Sequence, residues 1–195
     1  MRRYAEMDRK TAETDITIKL CVEGSGQAVI NTGIGFFDHM LHQLAKHGLL
    51  DLDVEAKGDL SVDAHHTVED VGICIGMTLR AALGKKEGIK RYGTATVPLD
   101  EALVLTSVDL SGRGFLAFDL PIQEEMIGEF PSALVVEFFR ALAQNAGMTV
   151  HIRKISGENG HHIVEAAFKS FARSLQEAVS LSERVKGTPS TKGTL

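Results

Sequence analysis

Two cysteines, Cys21 and Cys74, are all the thiol that 195 residues provide. They make neither a disulfide framework nor a Cys-x-x-Cys site, so a reducing compartment is expected, with both as buried free thiols. Any metal would have to be held by His and carboxylate. Excess positive charge is missing as well: 21 Lys and Arg stand against 26 Asp and Glu, a formal net charge of -5. That balance excludes a generalised surface for polyanions, and nucleic acid with it, while a local basic pocket for one phosphate remains compatible. No apolar run approaches the roughly 18 residues of a membrane span. The first twenty residues interleave Arg, Glu, Asp and Lys with apolar positions instead of forming the apolar stretch of a signal peptide. A cytoplasmic protein with no membrane partner is expected. Low-complexity linkers are absent too, which favours one α+β domain over two tethered ones. With 44% apolar and 24% charged residues, the chain can fill one globular core or two small fused halves.

What is present is a repeated pattern. His-His-x-x-Glu occurs at His65-His66-Thr67-Val68-Glu69 and again, 96 residues on, at His161-His162-Ile163-Val164-Glu165. On a helix the first His and the Glu share a face, while the middle His points about 100° away. Each copy can therefore give two ligands to one ion and one to another, which suggests a dinuclear metal site.

The surrounding chain repeats too. Ile16, Ile18, Leu20 and Val22 alternate as a strand ending at Glu23-Gly24-Ser25-Gly26, and residues 27–30 would complete a hairpin. Phe37, Met40, Leu41 and Leu44 keep helical spacing over 36–47, with Gly48 as the stop. Leu50, Leu52, Val54 and Ala56 alternate as a strand, and a long helix begins near His65 and runs through Val71, Ile75, Leu79 and Leu83 to Gly84. The second half follows the same order: alternating segments within 94–120, a helix over about 132–145, a strand over 148–155 and a helix over about 161–181. Residues 45–49 and 144–148 fall at matching helix ends. The spacing predicts two pseudo-symmetric halves, about 1–92 and 93–185, whose two-fold relation would let one half complete a site begun by the other. Residues 186–195, rich in Gly, Ser, Thr and Pro, read as an irregular tail.

His39 precedes His65 by 26 residues, and Glu137 precedes His161 by 24 at the equivalent point of the equivalent helix. Glu137 is thus either the symmetry partner of His39 or a solvated helix carboxylate. His42 and His47 are either polar-face histidines or substrate contacts, and His151, alternating with apolar neighbours, is structural. Imidazole and carboxylate together suit Mn, Fe or Zn.

Three longer segments, Gly33-Ile34-Gly35-Phe36-Phe37-Asp38-His39-Met40-Leu41, Asp63-Ala64-His65-His66-Thr67-Val68-Glu69-Asp70 and Gly157-Glu158-Asn159-Gly160-His161-His162-Ile163-Val164-Glu165-Ala166, closely resemble the imidazoleglycerol-phosphate dehydratase family. The resemblance extends from Glu13-Thr14-Asp15-Ile16 to Pro189-Ser190-Thr191-Lys192-Gly193. It implies an α+β fold made of a duplicated unit, strands-helix-strand-helix twice, of the left-handed βαβ superfamily, with two four-stranded sheets and packed helices. It implies two Mn2+ per active site, one held by His65, Glu69 and His162 and the other by His161, Glu165, His39 and His66. Many family members have His where this chain has Glu137, and the Glu is still a competent oxygen ligand. The phosphate-binding residues map to Arg91, Arg113, Lys169, Ser190 and Lys192, with Thr191 beside them and His39 and His47 also facing substrate.

The implied activity is dehydration of D-erythro-imidazole glycerol phosphate to imidazole acetol phosphate in histidine biosynthesis. An imidazolate held between two metals would push out the C3 hydroxyl, and Glu13 would take the C2 proton, with His65 and Glu165 in the same catalytic set. The resemblance also implies a homo-oligomer of 24 subunits, with metal sites completed across subunit contacts and a tail that orders over bound phosphate. Two rivals remain at this stage. One is a noncatalytic His-rich metal-binding assembly protein, and the other is a dinuclear phosphate-ester hydrolase.

Overall fold

Residues 2–193 and 195 are described by a computed structural model. The first half runs β1 (Tyr4–Lys10), β2 (Thr14–Cys21), β3 (Ala28–Asn31), α1 (Gly35–Gly48), β4 (Asp51–Gly58) and α2 (His65–Leu83). The second runs β5 (Tyr92–Leu99), β6 (Ala102–Asp109), β7 (Phe115–Asp119), a short hairpin β8 (Met126–Ile127) and β9 (Phe130–Pro131), then α3 (Leu134–Ala146), β10 (Thr149–Ser156) and α4 (Gly160–Val179). Each half builds one four-stranded sheet in the same order, β1-β2-β4-β3 and β5-β6-β10-β7, with β3 parallel to β4 and β7 parallel to β10. No helix among the described residues is long and apolar enough to cross a membrane.

Three sequence expectations need correction. The hairpin between the Ile16–Val22 segment and residues 27–30 does not form, because both edges of β2 are taken, by β1 and by β4. Gly24 and Gly26 instead carry the chain past the start of β4. A Cβ on Gly24 would lie 2.1 Å from the Asp51 backbone nitrogen, and the Asp51 carboxylate accepts from the N–H groups of Ser25 and Gln27 at 2.8 and 3.2 Å. The strand β1 was not expected at all. Neither of its faces is fully buried, and its inward Arg9 is tied to Asp70 of α2 at 2.5 Å, so it lacks the apolar alternation of a half-buried strand.

The third correction concerns the end of α1. Gly48 is its last helical residue, and the left-handed cap is Leu49, at φ 52. In α3 the same cap is Gly147, at φ 63. Leu49 and Gly147 are therefore counterparts, as are the first residues of β4 and β10, and this register superposes His39 on Glu137.

The two halves share one core. α1 packs against α4 and α2 against α3, so the helices of each half lean on those of the other. Phe37, Phe138, Phe139, Phe168 and Phe171 are all at most 2% exposed, and Phe139 and Phe168 have ring centroids 4.8 Å apart. The α2 helix approaches α3 closely at Gly76, where a Cβ would meet the Leu142 carbonyl oxygen at 2.7 Å. Such dense apolar packing fixes the helix N-termini on which the histidine pairs sit.

Candidate active site

The second histidine pair opens α4. The Asn159 side chain caps this helix by accepting from the N–H groups of His161 and His162 at 2.9 and 3.3 Å. One turn on, the buried Glu165 places Oε2 3.2 Å from His161 Nε2. Because α1 packs on α4, His39 Nε2 reaches that same oxygen, also at 3.2 Å. His39, His161 and Glu165 each offer a ligand atom, all within 4.8 Å of one another, the one such group among the described residues. Glu165 Oε1 accepts from Lys169 Nζ at 2.6 Å. Burial pushes the Glu165 carboxyl up, but hydrogen bonds from Lys169 and His39 outweigh it and hold the group below the usual carboxylate range. A carboxylate ready to ligate results. A cavity of about 550 Å³ opens beside His161, between Phe36, Leu60 and Phe130.

The first pair opens α2 in the same manner. Asp63 Oδ1 accepts from the His65 N–H at 2.7 Å, in the place that Asn159 holds before His161. The rings of His65 and His66 stand at 87°, and those of His161 and His162 at 86°, with centroids 6.2 Å apart in both. The two pairs thus hold their rings in nearly the same mutual arrangement. His65 and Glu69 have no ion-pair partner among the described residues. His66 and His162, in contrast, each turn Nδ1 onto a carboxylate: Asp59 at 3.0 Å and Glu101 at 2.7 Å. The hydrogen bond to Asp59 raises the His66 imidazole, and that to Glu101 raises His162. The same bond, with backbone N–H donors from Asn159 and Glu158, holds Glu101 down to about 2. Glu13 Oε2 lies 3.8 Å from His66 Nδ1.

Of the remaining expected residues, Glu137 sits half-buried on α3 and pairs with Arg140. His47 is linked to His39 through Gln43, and burial, with Lys169 and Arg173 nearby, pushes its imidazole down. Arg91 donates from Nε and Nη2 to Asp109 at 2.7 and 3.2 Å and from Nη1 to the Pro189 carbonyl at 2.9 Å, which ties the tail to β5. Strand register aligns Tyr92, Asp109, Thr149 and Phe115 in one row, so Arg91 and Arg113 lie at the same end of the second sheet. Ser190, Thr191 and Lys192 follow Pro189 in the tail, with Ser190 Oγ accepting from the Lys192 N–H at 3.2 Å. Asp59, Glu101 and Asp109 join the site without having been expected from the sequence. A signal for Glu101 existed: it directly precedes β6 as Glu13 directly precedes β2.

Residues 32–175 match the family model described as imidazoleglycerol-phosphate dehydratase. The chain is 56% identical over 195 residues to a protein of that name from Acetivibrio thermocellus, covering 100% of both. It is 58% identical over 191 residues to one from Clostridium kluyveri, covering 98% of both. A solved imidazoleglycerol-phosphate dehydratase from Staphylococcus aureus subsp. aureus N315 is similar with a TM-score of 0.84 at 40% identity, over 92% of this chain and 99% of that one. The solved Pyrococcus furiosus enzyme, in complex with (S)-C348, has a TM-score of 0.84 at 41% identity, over 97% and 100%.

Proposed function

The chain belongs to the imidazoleglycerol-phosphate dehydratase family, lyases of histidine biosynthesis whose activity it shares, and on that premise we propose that it works through two Mn2+ ions at sites shared between subunits. The convergence of His39, His161 and Glu165 carries this reading. Two imidazoles and an ionised carboxylate form a donor set that suits Mn(II), and the buried, Lys169-paired Glu165 is already a carboxylate. His39, His161 and Glu165, completed by His66 of another subunit, would hold one ion. His65, Glu69 and His162 would hold the other, joined by Glu137, whose helix α3 packs on α2 as α1 packs on α4.

Distance supports the sharing between subunits. The Arg91 N–H donates to the Ala178 carbonyl at the far end of α4 from Glu165. Thirteen residues of α-helix span about 20 Å, which is beyond the reach of a three-carbon phosphate arm. One chain's metal cluster and its own Arg91 therefore serve different substrate molecules, and this supports a closed homo-oligomer, here taken as 24 subunits.

Metal held by these His and Glu residues would supply Lewis acidity toward the substrate imidazole, easing loss of its N–H proton so that the ring's electrons can expel the C3 hydroxyl, which leaves with a proton as water. Glu13 then takes the C2 proton, and the resulting enol tautomerises to the ketone. Its backbone is set for this by donation from the Glu13 N–H to Thr11 Oγ1 at 3.1 Å. Arg91, Arg113, Ser190, Thr191 and Lys192 hold the phosphate, Arg91 already oriented by Asp109. Lys169 keeps Glu165 ionised and faces the substrate from the same turn.

The test strips the protein with chelator and supplies imidazole glycerol phosphate with and without Mn2+, measuring ketone and free phosphate in the same samples. Manganese-dependent ketone without phosphate release is expected, and Glu13→Gln should keep both ions but lose turnover. Phosphate release would instead establish a hydrolase, and near-normal turnover of Glu13→Gln would remove that residue from proton transfer.

A further inference from the structure

Each half of the chain presents one imidazole whose Nδ1 side is closed by a carboxylate, but the two carboxylates come from different places in the repeat. For His66 it is Asp59, with Oδ1 at 3.2 Å and Oδ2 at 3.0 Å. For His162 it is Glu101, with Oε2 at 2.7 Å. Asp59 directly follows β4, and in the same place after β10 stands Gly157, at φ 124, which has no side chain to offer. Glu101 directly precedes β6, and its counterpart before β2 is Glu13. The duplicated halves thus close the same imidazole edge with non-equivalent residues. With Asp59 in place, Glu13 stands 3.8 Å from His66, outside hydrogen-bond distance.

We propose that Asp59 and Glu101 are positioning residues of the metal centre, each fixing its histidine as the Nδ1–H tautomer and turning the Nε2 lone pair outward to the ion. This rests on the reading of His66 and His162 as ligands. A neutral imidazole has one N–H and one lone pair, and it can ligate through either nitrogen. A carboxylate at Nδ1 removes that choice, holds the ring against rotation and makes Nε2 a stronger donor. Glu101 is itself held, since its Oε1 accepts from the N–H groups of Glu158 and Asn159 at 3.3 and 3.0 Å. Among the described residues the Asp59 side chain makes no such loop contact, so its removal tests positioning without loosening the approach to a helix.

Calorimetry of Mn2+ binding to the metal-stripped full chain provides the test. Asp59→Ala and Glu101→Ala should each weaken binding of the affected ion by about 10–100-fold. Glu101→Gln should weaken it less, because the amide oxygen still accepts from Nδ1–H. Magnetic resonance of histidine-labelled, metal-free protein, at alkaline pH where the imidazoles are neutral, should show the Nδ1–H tautomer at His66 and His162, and a mixture in the alanine variants, a change that loosened packing elsewhere does not produce. His66→Ala and His162→Ala are measured alongside. If these lose an ion while Asp59→Ala and Glu101→Ala bind like the parent, the positioning inference is wrong and the ligand assignment stands. If the histidine variants bind both ions normally, the ligand assignment is wrong and the inference falls with it.

Discussion

Removing the ammonium of Lys169 tests how the proposed metal cluster stays charged. In Lys169→Met the apolar stem is kept, while Glu165 Oε1 loses its 2.6 Å donor. The side chains of Lys169 and Glu165 are 16% and 11% exposed, so solvent replaces little of what is lost. Truncating one partner of a fully buried pair costs 3–5 kcal/mol, and a charge-assisted hydrogen bond contributes 1.5–3. For a pair with slight solvent access, about 2–3 kcal/mol is expected, which for a chain of this size lowers Tm by roughly 4–12 °C. The pH dependence has a definite sign. In the parent, Glu165 titrates below the ordinary carboxylate range, so its stabilisation is complete above that range and fades as pH falls through it. In the variant, burial is opposed by His39 without Lys169, so the group moves up from its place in the parent, and the carboxylate, short of one donor, destabilises most near neutral pH and is relieved as protons bind. The Tm difference between metal-free parent and variant should therefore be largest near pH 7.5 and shrink toward pH 4.5. Scanning calorimetry across that range is the assay. A difference below about 1 °C at pH 7.5, or one that does not change with pH, would refute the role given to Lys169.

Chelation of the bound metal should disperse the assembly into smaller species, read by light scattering; a particle of unchanged mass would show that metal does not hold the subunits together. Glu137→Ala should weaken one of the two Mn2+ sites by at least about tenfold, and Glu137→His should restore it, whereas unchanged binding would leave Glu137 as no more than the partner of Arg140. The Cys74 thiol is fully buried on α2, and burial pushes it up to about 11, so at pH 8 almost no thiolate is present. Peptide mapping after iodoacetamide treatment should find Cys74 modified only in unfolded protein, and rapid native labelling would contradict the packing around α2.

The duplication could be read from residues because both its signals are local. The two His-His-x-x-Glu turns sit on helix N-termini, and α1, α2, α3 and α4 each carry an apolar stripe at helical spacing. What could not be read was whatever depends on a partner distant in sequence. β3 is four residues long and reads as a hairpin arm, and only the occupation of both edges of β2 sends it to the far side of β4. β1 carries Arg9 toward the helices, and that inward charge is tolerable only because Asp70, 61 residues away, neutralises it.

The candidate site divides along the same line. Helical spacing brings His161 to Glu165, but His39 joins them only through the packing of α1 on α4, across 126 residues of sequence. The closure of His66 and His162 by Asp59 and Glu101 is hidden for a further reason. A repeat suggests that equivalent histidines have equivalent partners, and here they do not, because Gly157 stands where Asp59 would recur. Gly157 also shows why the symmetry had to break. At φ 124 its backbone disfavours any side chain, and a Cβ there would lie 2.8 Å from the Ala102 Cα, so the loop leading to α4 cannot carry an aspartate in that place. The carboxylate for His162 then comes from the β5–β6 turn. There Glu101 holds both the imidazole and the N–H groups of the same loop, and the tight loop that excludes one clamp is anchored by the other.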